Sequence, residues 1–220
     1  MNIGLYQSAA SLSALERWQD AVSQNISGGQ VPGYRGRTVT FSAQDNGQFV
    51  FGRSGQPGSD SSQPASFPAA SSGISFKAGE TQPTGNPLDL AIQGPGFFQV
   101  KMPDGARAYT RDGTFHQRAD GTLVNSSNFP VLSESASPIV LALAAGPVSV
   151  TQEGVISQGD AQVAKLSVTS FSNTAALTPI SSSLLLASPS AGAKPAEHPG
   201  VLQGYIESSN VSPLFEMVNL

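Results

Sequence analysis

The chain has 220 residues, of which 12% are charged, and its 11 basic and 15 acidic side chains give a formal net charge of −4. That balance offers no electrostatic footprint for nucleic acid or an anionic bilayer, and the absence of cysteine excludes disulfides, thiolate metal sites and cysteine nucleophiles. Glycine (23) and proline (16), with serine more abundant than either, bring the composition to the edge of low complexity, yet a 39% hydrophobic share suffices for one ordinary core.

At the amino terminus, Leu5, Leu12, Leu15, Trp18, Val22 and Ile26 recur at three- and four-residue steps, the period of one stripe on a helix. The pattern predicts an amphipathic helix within residues 1–30, stopped at Gly28-Gly29 and followed by a turn at Pro32-Gly33. One such helix cannot bury its stripe alone. Its few cations argue against a membrane surface and for a protein partner. The start, MNIGLYQSAASLSALERW, has its first basic residue at Arg17 and no continuous apolar region, so it does not read as a Sec signal peptide. The longest apolar stretch, Pro138 to Val148, falls short of a membrane span.

Residues 31–76 read as an extended connecting segment. Its Ser/Gly/Pro-rich part, residues 54–73, cannot offset its ordering entropy by burial and reads as a flexible or extended connection. Residues 77–200 predict a β-rich domain. Asp104-Gly105, Asp112-Gly113 and Asp120-Gly121 recur every eight residues between short alternating runs. Asp-Gly supplies the positive φ of tight hairpin turns, so the spacing predicts a β-meander. Further strand-like runs lie at 130–132, 138–143, 148–152, 155–157 and 164–171. In residues 201–220, Ser212-Pro213 reads as a helix start, and Leu214, Met217 and Val218 as the apolar face of a short helix. Such a short helix either continues in a longer parent or folds only against something else. The fold class is mainly β, a central β-rich domain flanked by one longer and one short helix.

Candidate chemistry is sparse. His116 and His198 lie in a strand and a Pro-rich loop, and the aspartates of the three Asp-Gly pairs would sit at separate hairpin tips, without the alternating ligands of a calcium loop. Gly94-Pro95-Gly96 lacks both the Walker lysine and the dinucleotide glycine spacing. No catalytic, cofactor or metal residue is assigned, and the chain does not read as an enzyme.

Three segments carry a resemblance. Leu5 to Tyr34, with Asn25, Ile26, Pro32, Gly33 and Tyr34, resembles the amino-terminal motif of the flagellar rod and hook protein family. Thr84 to Leu132 is similar to that family's central block, and Gly200 to Leu220 to the opening of its carboxy-terminal motif. Gly28-Gly29-Gln30 departs from the usual Ala/Asn-rich run, and the family's carboxy-terminal helix normally runs beyond the point matching Leu220. The resemblance implies a non-enzymatic rod subunit, proximal or distal, with a hook-type axial subunit as an alternative; apart from the resemblance, the β-meander leaves a surface-binding or adhesion β module as another. It also implies terminal helices paired as a coiled coil in the inner tube of a hollow helical assembly, a β-rich outer layer, and passage through the flagellar type III export apparatus. The implied location is the periplasm-spanning rod of the basal body. Implied partners are copies of the chain and neighbouring rod or hook subunits, without nucleic acid, cofactor or direct membrane insertion. The expected assembly interface is Leu5, Leu12, Leu15, Trp18, Val22, Asn25, Ile26, Leu214, Met217 and Val218.

Overall fold

A computed structural model describes residues 3–50, 62–143 and 146–218, with the side chains of 3–6 and 44–68 outside the description. Helix α1 spans Ile3–Gly28. It ends where the sequence places two glycines, and packing adds a second reason for them. A Cβ on Gly28 would lie 2.4 Å from the Tyr34 ring, and one on Gly29 would lie 2.2 Å from Pro213. The glycines therefore stop the helix and also let two later segments touch its last turn.

Strands β1 (Arg37–Val50) and β2 (Ser62–Ile74) form a long antiparallel ribbon, paired from Arg37 with Ile74 to Val50 with Ser62. Composition predicts a flexible or extended connection for residues 54–73. In its described part this stretch is extended and hydrogen-bonded to β1, and residues 54–61 lie outside the described ones. The polar, small side chains suit a ribbon that is held by backbone pairing and by α1 lying against it.

The β-rich part follows: β3 (Thr81–Pro83), β4 (Leu90–Ile92), β5 (Phe97–Lys101), β6 (Arg107–Thr110), β7 (His116–Gln117), β8 (Leu123–Val124), β9 (Val148–Val150), β10 (Val155–Gln158) and β11 (Ala161–Lys165). It continues with β12 (Val168–Phe171), β13 (Leu177–Pro179), β14 (Leu184–Ala187), β15 (Ala193–Pro195), β16 (Val201–Gln203) and β17 (Tyr205–Glu207). Helix α2, Pro213–Val218, closes the described chain. The central sheet has the order β13-β14-β6-β5-β12-β15, and β9 to β11 form a smaller sheet.

Strand β5 shows why the centre is stable. Phe98 and Val100 point into a core with Leu90, Phe115, Leu123, Ile139 and Ile156, while Phe97 joins Tyr109, Leu177 and Leu185 in a second cluster. Alternate side chains leave a strand on opposite faces, so burying both faces commits FFQV entirely to the interior. Edge-on ring pairs, Phe98 with Phe115 at 5.1 Å and Tyr109 with Phe171 at 4.8 Å, fix the two clusters.

Two of the three Asp-Gly pairs are the hairpin tips the sequence predicts. Gly105 and Gly121 have φ of 84° and 86°, and Asp104 and Asp120 each accept a backbone N–H two residues on, at 2.9 Å. The middle pair corrects the expectation. Asp112 is 1% exposed, and Gly113 forms no tip but passes under β4, where an added Cβ would come 1.6 Å from the Leu90 carbonyl oxygen.

Candidate functional site at the joint of helices and domain

The stripe on α1 divides in two. Ala14, Ala21, Val22 and Asn25 are buried within the chain and Trp18 is partly buried. Arg17, on the same helix, donates to the Ala70 carbonyl of the ribbon at 2.9 Å. Leu12 and Leu15 remain exposed, at 60% and 52%. On α2, Leu214, Phe215, Met217 and Val218 are all exposed. Val22 and Asn25, both in the expected interface, are buried within the chain itself, as are the small residues Ala14 and Ala21 on the same helix. Ile26 is half-buried, and the Leu5 side chain lies outside the described ones.

Asn25 is the hub of a buried polar joint. Its Nδ2 donates to the Arg37 carbonyl at 2.9 Å and to Glu216 Oε1 at 3.2 Å, while its Oδ1 accepts from the Arg37 N–H at 2.7 Å and from the Tyr34 hydroxyl at 3.2 Å. Asn210 does the same work from the other end: its Oδ1 accepts from Gly36 N–H at 2.7 Å, and its Nδ2 donates to the Ser75 and Lys77 carbonyls. A side-chain amide matches a peptide group in donor and acceptor, so each asparagine stands in for a strand neighbour where the backbone turns away.

Beside this joint, Glu207 lies between two arginines. Its Oε1 is 2.8 Å from Arg35 Nη2 and its Oε2 is 3.0 Å from Arg111 Nη1, with all three side chains buried. Glu207 Oε1 also accepts the Gly79 N–H at 2.7 Å. Arg35 donates to the Lys77 carbonyl, and Arg111 to those of Ile92 and Gly94, with its guanidinium 5.2 Å from the centre of the Phe97 ring. Burial, reinforced by the like charge of Arg35, pulls the Arg111 pKa down to about 10 against the opposing pull of Glu207. The Nε atoms of both arginines are buried without a hydrogen-bond partner.

The Pro32-Gly33 turn completes the site. Gly33, with φ of 67°, donates its N–H to the Glu207 carbonyl at 2.7 Å. A Cβ there would come 2.3 Å from the Asp112 nitrogen. Asp112 in turn accepts hydrogen bonds from Thr114 and from the Ser126 hydroxyl. Three segments far apart in sequence therefore meet: the turn after α1, the end of β6, and the approach to α2. Sequence reasoning finds Asn25, Pro32 and Gly33 but misses Arg35, Arg111, Glu207 and Asn210. The one available signal is economy of charge, since a chain with so few ionised groups places three of them here.

Among the described residues no group of three or more His, Cys, Asp or Glu could hold a metal ion, and no helix is long and apolar enough to cross a membrane. His116 and His198 are both exposed.

The architecture is a β-rich domain joined to two helices that keep apolar side chains exposed. The sequence model described as the flagellar hook protein FlgE/F/G D1 domain matches residues 91–158. The chain is 31% identical, over its whole length and 87% of the relative's, to the flagellar basal-body rod protein FlgF of Mesorhizobium japonicum, and equally so to that of Rhizobium meliloti. It is 28% identical, over 98% of its length and 88% of the relative's, to the rod protein FlgG of Buchnera aphidicola subsp. Schizaphis graminum. The chain belongs to the flagellar basal-body rod protein family.

Proposed function

We propose that this chain is a structural subunit of the flagellar rod, added to the growing axial array through the exposed faces of α1 and α2 while the buried joint holds the β domain at a set angle to them. The observation that carries this reading is the contrast at the terminal helices. Their inner faces are closed by hydrogen bonds and packing, whereas Leu12, Leu15, Leu214, Phe215, Met217 and Val218 stay in solvent. Exposed apolar surface of this kind is a liability in a free molecule and an asset between copies. Contacts that join two different surfaces without closing generate helical tubes. In this reading the partners are copies of the chain and neighbouring rod or hook subunits, and the terminal helices pair with others as the wall of the inner tube. Torque passes from helices to β domain through the Asn25, Glu207 and Asn210 bonds. Delivery uses the flagellar type III export apparatus, and the assembled rod spans the periplasm.

The test is the double variant Leu12→Glu and Leu15→Glu in the full chain. It should fold with an unchanged melting temperature, because neither side chain is buried, yet fail to enter rods or restore motility. Normal rods built from the double variant would overturn the reading.

A further inference from the structure

A cleft of about 310 Å³ opens beside the joint, between the last turns of α1, the start of β1, and the Ser181–Ser183 turn that joins β13 to β14. Arg35, Arg37 and Arg111 line it, and among the described residues no carboxylate does. Glu207 pairs with Arg35 and Arg111, and Glu216 accepts from Asn25 nearby, so the formal charges of these five groups leave one positive unit. The carbonyl end of α1 offsets about half of that. Serine hydroxyls from α1 and from the β13–β14 turn supply further donors at the rim. Hydroxyls and guanidinium groups lining one small space make a set of donors for a carboxylate.

We propose that this cleft receives the carboxylate of Glu16 from a neighbouring copy of the chain. The inference rests on the reading above, in which copies pack through α1. Glu16 is exposed, makes no ion pair among the described residues, and directly follows Leu15 in sequence. A contact that covers Leu15 also removes Glu16 from water, and a carboxylate leaving water needs a cationic, hydrogen-bonding partner. The molecule carries that partner at the far end of the same helix, about 16 Å along the axis at 1.5 Å per residue. Acidic shoulder and basic cleft are two unlike, complementary surfaces on one chain, which is what a head-to-tail contact requires. The cleft then sets the stagger between adjacent copies, with Leu15 supplying burial and Glu16 supplying register.

The experiment is self-association of the purified full chain, followed by sedimentation velocity over a concentration series. Arg37 is the residue to change, since its side chain is only partly buried and its bonds to Asn25 use backbone atoms alone. Arg37→Glu and Glu16→Arg should each raise the concentration needed for association by about tenfold, and the pair together should restore it. Arg37→Gln, which keeps hydrogen bonding without charge, covers the case of a poorly folded Arg37→Glu and should weaken association while flattening its salt dependence. A wild-type chain that stays monomeric at every concentration would remove the assembly reading itself. Association that is intact but indifferent to Arg37, or single reversals that the double change does not rescue, would overturn the cleft as the Glu16 receptor while leaving assembly through α1 in place.

Discussion

Asn25 pairs with Arg37 as one strand pairs with another: its side-chain amide both donates to the Arg37 carbonyl and accepts from the Arg37 N–H, at 2.9 and 2.7 Å. The eleven residues between them include the glycine stop, the Pro-Gly turn and Arg35. That two-point contact fixes where the ribbon starts relative to the helix. An asparagine here is consequently a fastener between helix and ribbon.

Glu207 should be the most costly acidic residue to remove. Replacing it by Ala leaves two buried guanidinium groups facing each other with no counter-charge, and breaking a buried pair in this way costs about 3–5 kcal/mol. Differential scanning calorimetry of Glu207→Ala should show a large fall in melting temperature. The exposed Arg118 and Asp120 pair, 3.9 Å apart, is the internal control. Asp120→Asn keeps the acceptor for Thr122 N–H and should leave the melting temperature nearly unchanged. Equal losses in the two variants would show that the triad is not a structural centre.

Tyr34 predicts an alkaline limit. Burial raises its phenol above the ordinary 10.0, with the nearby Glu216 adding to the rise and Arg37 opposing it. In the unfolded chain the phenol ionises first, so the folded chain holds the extra proton. The stability from this group is complete below pH 10 and is lost as pH climbs through the raised folded value. Arg111 has the opposite sign. Its folded value is depressed to about 10 from 12.5, so its contribution grows over that interval. Both chains carry Arg111, so the difference between wild type and Tyr34→Phe isolates the phenol. Tyr34→Phe should lose about 1 kcal/mol at neutral pH with its bond to Asn25, and this deficit should shrink above pH 10 in urea titrations. A deficit independent of pH would refute the assignment.

Gly113 and Gly105 have the same neighbour in sequence and should respond unequally to alanine. At Gly105 nothing lies within 4 Å of an added Cβ, and the penalty is the positive φ alone, about 1 kcal/mol. At Gly113 the added Cβ would overlap the Leu90 carbonyl, which β4 and the chain below it cannot yield. Gly113→Ala should lower stability several-fold more than Gly105→Ala in chemical denaturation. Similar values would mean that the chain crosses there more loosely than described.

The sequence made most of the outline legible because its signals are local. Periodicity located α1, the glycine pair ended it, and Asp104-Gly105 and Asp120-Gly121 marked real hairpin tips, whereas FFQVK reads as one of the short alternating runs and is in fact buried on both faces over its first four residues. It failed where the reason was not local. The spacing of eight treated Asp112-Gly113 like its neighbours, but the identity of that pair is set by β4 passing over it. The triad was invisible because Glu207 lies 96 positions from Arg111, and a lone glutamate before a serine pair carries no pattern. The α1 stripe misled in part because hydrophobic period cannot say which face meets the chain's own ribbon. The small residues, Ala14 and Ala21, took that side and left two leucines outside.

The meeting of Asn25 with Glu216, and of Gly29 with Pro213, puts the two helices side by side at the base of everything between them. The β domain is then topologically an insertion, a long excursion that departs and returns through one gate. Lengthening or reshaping that excursion leaves the gate unmoved. In the proposed array, a lineage can therefore diversify the outer layer while the geometry along the axis stays constant.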